Sequence, residues 1–160
     1  MVHLVPSTQV AVIFAQTTKP LLFFVLTLTV AVFVFPTNST LSFPDATLHF
    51  YGYGGKRDQM QDLIKTYQLD AVVSINEFSA DIASIFQGAG LMMCSSRNEG
   101  FSISMLQSIQ HGCPLISFDC EYGPSELIQN GVNGYLVKPQ SVTELAETVT
   151  KVLLDPVLHN

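Results

Sequence analysis

The chain has 160 residues, 48% of them apolar, with 13 acidic against 7 basic side chains and a formal charge of −6. That is enough for one domain with a real core, but two independent domains would be crowded. With no basic run to track phosphates, a nucleic-acid surface is excluded as the main function, and any bound anion must be held locally.

Charge divides the chain in two. Residues 1–44 carry one formal charge, Lys19, and all the acids lie from Asp45 onward. The first segment holds an apolar run, Leu21 to Phe35, between two prolines. The run is shorter than the roughly 20 residues that span a bilayer as a helix, and its Val, Thr and Phe content favours a strand. Three readings stay open for it: a membrane-associated element over residues 20–36, a buried strand, or a non-native stretch. It lacks the basic N-terminus of a secretory signal. These residues show neither a helical nor an alternating apolar face, so 1–44 is expected to pack poorly against 45–160.

From Asp45 the pattern is regular. "ATLHFYGYGG" predicts a strand closed by a glycine turn, and "KRDQMQDLIKTYQL" a helix with Met60, Leu63, Ile64 and Tyr67 on one face. "DAVVSI" and "SADIASIFQGA" make a second strand–helix unit, "GLMMCSS" and "FSISMLQSIQHG" a third, and "PLISFD" and "GPSELIQNG" a fourth. "GYLVK" and "SVTELAETVTKVLLD" close the series, with Leu145, Val149 and Leu153 as a core-facing stripe. Strands alternating with helices predict an α/β fold: a Rossmann-like parallel sheet with flanking helices and right-handed crossovers. Gly112 after His111 and the turn "QNGVNG" supply helix stops where left-handed backbone is needed.

In such a sheet, ligands bind beyond the carboxyl ends of the strands, where helix N-termini present free N–H groups. Three loops qualify. "YGYGGKR" brings Gly52 and Gly54, but its spacing is not that of a dinucleotide fingerprint, and a tight turn is the plainer reading. In "SSRNEGFS", Gly100 permits close backbone approach, Ser102 stands where a helix cap belongs, and Glu99 can accept hydrogen bonds from sugar hydroxyls. The plainer role for Glu99 is a favourable pairing with the helix dipole, worth roughly 0.3–1 kcal/mol. Arg97 is a candidate diphosphate contact or a solvated loop charge. In "CEYGPSEL", Pro124 marks a helix start. Asp119, Glu121 and Glu126 lack a further ligand to complete a metal site, and His111 reads as a helix-dipole partner. Cys94, Cys113 and Cys120 show neither disulfide nor zinc spacing, which points to buried thiols in a reducing, cytoplasmic setting.

The block "SSRNEGFSISMLQSIQHGCPLISFDCEYGPSELIQNGVNGYLV" resembles the donor-binding, C-terminal half of a GT-B fold retaining glycosyltransferase of the family 4 (group 1) type. With "YGYG" it is most similar to the bacterial branch acting on wall teichoic acids or surface proteins. The resemblance runs from Pro44 to about Pro156 and leaves residues 1–44 unmatched. It implies a nucleoside diphosphate hexose donor, UDP-hexose by preference, transferred to a hydroxyl acceptor with no metal and no resident cofactor. It further implies that Glu99, taken as the catalytic-site carboxylate, touches the donor sugar, that Gly100 and Phe101 lend backbone amides, and that the second motif position binds the ribose. That position holds Gln107, which lacks the charge-assisted bond of a glutamate. The family also places an Arg and a Lys on the diphosphate in the first strand and loop of this half, beside an acceptor-binding N-terminal half. Residues 1–44 contain no Arg, Lys19 sits in no matching context, and "MVHLV" is the candidate remnant of the first strand. The expectation is therefore a donor-binding region, inactive by itself; the alternatives are a non-catalytic nucleotide-sugar or partner-binding module, and a truncated or frame-shifted product.

Overall fold

The computed structural model describes residues 9–13, 46–52, 57–99 and 102–154, with backbone only for the first of these segments. Six parallel strands form one sheet: β1 (Gln9–Ile13), β2 (Thr47–Tyr51), β3 (Val73–Asn76), β4 (Ala89–Cys94), β5 (Leu115–Phe118) and β6 (Gly134–Val137). The helices are α1 (Arg57–Thr66), α2 (Ile82–Gln87), α3 (Ile103–Gln110), α4 (Pro124–Leu127) and α5 (Val142–Leu154). The predicted alternation and parallel sheet are found, and the spatial order is β3-β2-β1-β4-β5-β6.

Strand β1 is the principal correction. Poor packing is the expectation for 1–44, yet Gln9–Ile13 lies in the interior of the sheet; the candidate remnant in residues 1–5 lies outside the described residues. Strand β1 pairs with β2 from Gln9↔Thr47 to Ile13↔Tyr51, and with β4 through Val10↔Leu91 and Ala11↔Met92. The physical reason is available in "QVAVI", rich in β-branched residues that suit a pleated surface covered on both sides. The remainder of 1–44, including the apolar run and residues 20–36, lies outside the described residues. Among the described residues no helix is long and apolar enough to cross a membrane.

Burial follows position in the sheet. Every residue of β5 and the last four of β4 are buried, as expected for strands covered on both faces, whereas β2 alternates and the edge strand β3 is mostly half-buried. Phe50, Phe86, Phe118, Met105 and Leu115 are among the largest fully buried side chains. Met60 and Ile64 of α1 face this core, with Leu63 packed against it. Tyr67, expected on the same stripe, is instead exposed: α1 ends at Thr66 and Gln68 takes φ +55°, which turns the chain away before another helical turn forms. On α5 the expected stripe of Leu145, Val149 and Leu153 is buried. The helix predicted over "GPSELIQNG" shrinks to four residues, because Ile128 adopts extended backbone (φ −99°, ψ 123°).

Helix α3 ends as the sequence indicates. Gly112 has φ +70°, its N–H reaches the Ile109 carbonyl at 3.0 Å, and the Cys113 N–H reaches that of Ser108 at 3.0 Å. This is the Schellman pair of bonds, which needs a left-handed residue and so favours glycine.

Candidate donor site

The strand order reverses between β1 and β4: chain connections from β1 lead toward β2 and β3, and those from β4 toward β5 and β6. In open parallel sheets such a switch point, at the carboxyl ends of the strands, is where ligands generally bind. The loop from β4 to α3 carries Glu99, so the sequence-derived candidate stands at the position the topology marks for a ligand. That loop is tied to the next one by a parallel bridge between Asn98 and Glu121.

Glu99 is half-buried and already engaged. Ser96 Oγ donates to its Oε1, and the Cys94 thiol donates to the same oxygen at 3.8 Å. Burial, reinforced by the negative charge of Glu99, pushes the Cys94 thiol up to about 12, so at neutral pH it stays protonated and remains a donor. Cys120, across the adjoining loop, is likewise raised, first by burial and then by Glu99. Cys113 is pushed up by burial to about 11. All three cysteines are free and buried, as read from the sequence.

Ser102 occupies the N-cap position of α3 with extended backbone, but its hydroxyl makes no capping bond and instead lies 3.2 Å from Ser104 Oγ. Its carbonyl accepts the Leu106 N–H at 3.2 Å, which starts the helical ladder. The first amides of α3 therefore have no intrahelical acceptor and, among the described residues, no side-chain cap, the arrangement that suits an anion. Gln107 lies one helical turn beyond Ile103, half-buried on the flank of α3 between the buried face of Ser104, Met105 and Ser108 and the exposed Ile103. Arg97 is exposed in the same loop as Glu99. Gly52 closes β2 with φ +144°, a backbone that favours glycine, and donates to the Asn76 carbonyl at 3.3 Å. Gly54, Gly100 and Phe101 lie outside the described residues, as does Lys19, which follows the end of β1 by six positions in sequence.

Asp119, Glu121 and Glu126 are each exposed, and among the described residues no group of three or more metal-ligating side chains converges. His111 caps the end of α3, its Nδ1 lying 2.8 Å from the Gln107 carbonyl oxygen, the dipole-partner role read from the sequence. Sequence reasoning missed Ser96 and Tyr122. Tyr122 follows Glu121, is 70% exposed and has φ +66°, a left-handed backbone uncommon for an aromatic residue and found disproportionately near ligand sites. For Ser96 the only available signal was its spacing of three residues before Glu99 in a loop.

The six-stranded parallel sheet with flanking helices is a Rossmann-like domain with Glu99 and the start of α3 at its switch point. Residues 27–160 match the family model "Glycosyl transferases group 1", and the chain belongs to that family. The match begins before the charge break at Asp45. The chain is 28% identical over 116 residues to a poly(glycerol-phosphate) alpha-glucosyltransferase of Bacillus subtilis, covering 72% of this chain and 17% of that protein. It is 31% identical over 98 residues to the GtfA subunit of a UDP-N-acetylglucosamine–peptide N-acetylglucosaminyltransferase of Streptococcus pneumoniae, covering 61% and 19%. In structure it is similar to a mutant of S. aureus TarM solved with fondaparinux, alpha-GlcNAc-glycerol and UDP, with a TM-score of 0.85 at 23% identity, over 96% of this chain and 30% of that one. The fold is that of GT-B glycosyltransferases, and the chain spans less than a quarter of the length of these curated relatives.

Proposed function

We propose that the chain binds a nucleoside diphosphate hexose, with uracil as its base, at the carboxyl ends of the strands beside the loop after β4. It would serve as the donor-binding part of an enzyme that passes the hexose to a hydroxyl acceptor with retention of configuration. The observation that carries this reading is the place of Glu99: a carboxylate held by one oxygen, at the switch point, beside an uncapped helix start. The charged acceptor suits sugar hydroxyls, while the amides of α3 and the guanidinium of Arg97 suit the diphosphate. Gly100 and Phe101 would lend backbone amides, Gln107 would bridge the ribose hydroxyls, and Gly52 and Gly54 would let the loop after β2 approach the nucleotide. The UDP and UDP-sugar named with the relatives support the choice of base. The donor is a substrate; the reading assigns no resident cofactor or metal. It places the chain in a reducing, cytoplasmic compartment, in keeping with three free thiols.

A second reading, a module that binds nucleotide sugar without transferring it, is favoured by Gln107 at the ribose position and by the absence of any Arg in residues 1–44. Turnover of UDP-hexose by the pure chain separates the two, and we expect none without an acceptor-binding partner region. Binding itself is tested by calorimetric titration with UDP-glucose and with UDP. Glu99→Ala removes hydrogen bonds to a charged group, each worth about 1.5–3 kcal/mol, so UDP-glucose should bind roughly tenfold or more weakly while UDP is nearly unchanged. An unchanged preference for the sugar nucleotide would leave Glu99 as a helix-dipole partner and remove the main support for a donor site.

A further inference from the structure

The carboxylate of Glu99 is anchored before any ligand arrives, and the anchor is buried. Ser96 is 4% exposed and Cys94 is 4% exposed, and both donate to Oε1. Among the described residues no donor reaches Oε2. A glutamate with both oxygens in solvent would lose its rotamer freedom on binding a sugar; here that loss is incurred when the protein folds. Ser96 is the stronger of the two donors, since a thiol at 3.8 Å is a weak one.

We propose that Ser96 is a positioning residue for the donor site: its hydroxyl holds Glu99 by Oε1 so that Oε2 faces the hydroxyls of the bound hexose. The inference rests on the reading of Glu99 as a sugar-binding carboxylate and adds to it a residue that never touches the sugar. The Cys94 thiol, kept protonated by its burial, assists from beneath.

The test compares affinities for UDP-glucose and UDP in the full chain carrying Ser96→Ala, Glu99→Ala or both, with thermal melts to confirm folding. Ser96→Ala should lower the preference for UDP-glucose over UDP about 3- to 10-fold and leave UDP binding alone. In the Glu99→Ala background it should have no further effect on that preference. Ser96→Cys, close in shape and still a donor, should recover part of the loss and serves in place of Ser96→Ala should that variant not fold. Without ligand, the side-chain carboxyl carbon resonance of Glu99 should move in Ser96→Ala. Equal weakening of UDP and UDP-glucose, or the same loss of preference with and without Glu99, would mean that Ser96 only supports the loop and overturns the proposal. If Glu99→Ala removes the preference and Ser96→Ala does not, the positioning role alone fails. If Glu99→Ala leaves the preference intact, or if neither ligand binds, the donor-site reading fails and takes this inference with it.

Discussion

In the proposed donor site Gln107 meets the ribose, and its amide lacks the charge-assisted bond a carboxylate offers to hydroxyls. Because ribose is common to both ligands, Gln107→Glu should strengthen UDP and UDP-glucose alike, by roughly 1 kcal/mol, or about fivefold in each calorimetric affinity. Loss of the parallel effect would take Gln107 out of the ribose site. A second residue, His49, contributes to the response to acid. Its Nε2 lies 2.8 Å from Thr47 Oγ1 and its Nδ1 2.8 Å from Ser74 Oγ, and burial lowers its pKa below the ordinary 6.5. The neutral ring is thus favoured in the native state, and the stability it contributes is complete above pH 6.5 and lost as pH falls through the lowered value. Melting temperature should decline from pH 7.5 to pH 5, and less steeply in His49→Gln. An identical decline in that variant would assign the acid sensitivity to other groups.

Among the elements, two glycines separate backbone conformation from space. A Cβ at Gly112 would meet nothing within 4 Å, but the residue has φ +70°, so Gly112→Ala should cost about 1–2 kcal/mol through conformation alone. At Gly134, which opens β6 opposite Leu115, an added Cβ would fall 2.0 Å from the Leu115 carbonyl oxygen. That neighbour is backbone and cannot rotate aside, so β6 must shift from β5, and Gly134→Ala should reach the upper end of the ~1–3 kcal/mol typical of overpacking, or exceed it. Urea unfolding of the two variants gives the comparison, and a larger loss at Gly112 would contradict it. The Gly112 stop was legible because a left-handed helix end has a local signature. The demand at Gly134 was not, because it comes from a strand distant in sequence.

For the whole molecule, β1 is the element on which the sheet depends, since it joins the β2–β3 half to the β4–β5–β6 half. Ala11 pairs with His49 on one side and Met92 on the other. Proline there removes the amide donor and stiffens an interior strand, where proline is essentially never found. Ala11→Pro should therefore abolish cooperative thermal unfolding, and in the parent chain the amides of β1 should exchange more slowly than those of the edge strands β3 and β6. A cooperative melt in Ala11→Pro would show that the two halves hold together without β1.

The sequence by itself determined the elements whose signals are local. Alternating apolar runs and helical periods specified five strands and their helices, the glycines marked the stops, and "SSRNEGFS" singled out Glu99 as an acceptor beside a helix start. Only the tertiary structure decided what depends on contacts between distant segments. "QVAVI" lies in a nearly uncharged stretch where no contrast between polar and apolar positions distinguishes one strand from the next, so its central place emerged only from pairing on both sides. That pairing creates the switch point. The hold of Ser96 and Cys94 on a single oxygen of Glu99 has the same origin: a hydrogen bond is fixed by distance and direction in space, and spacing along a loop specifies neither.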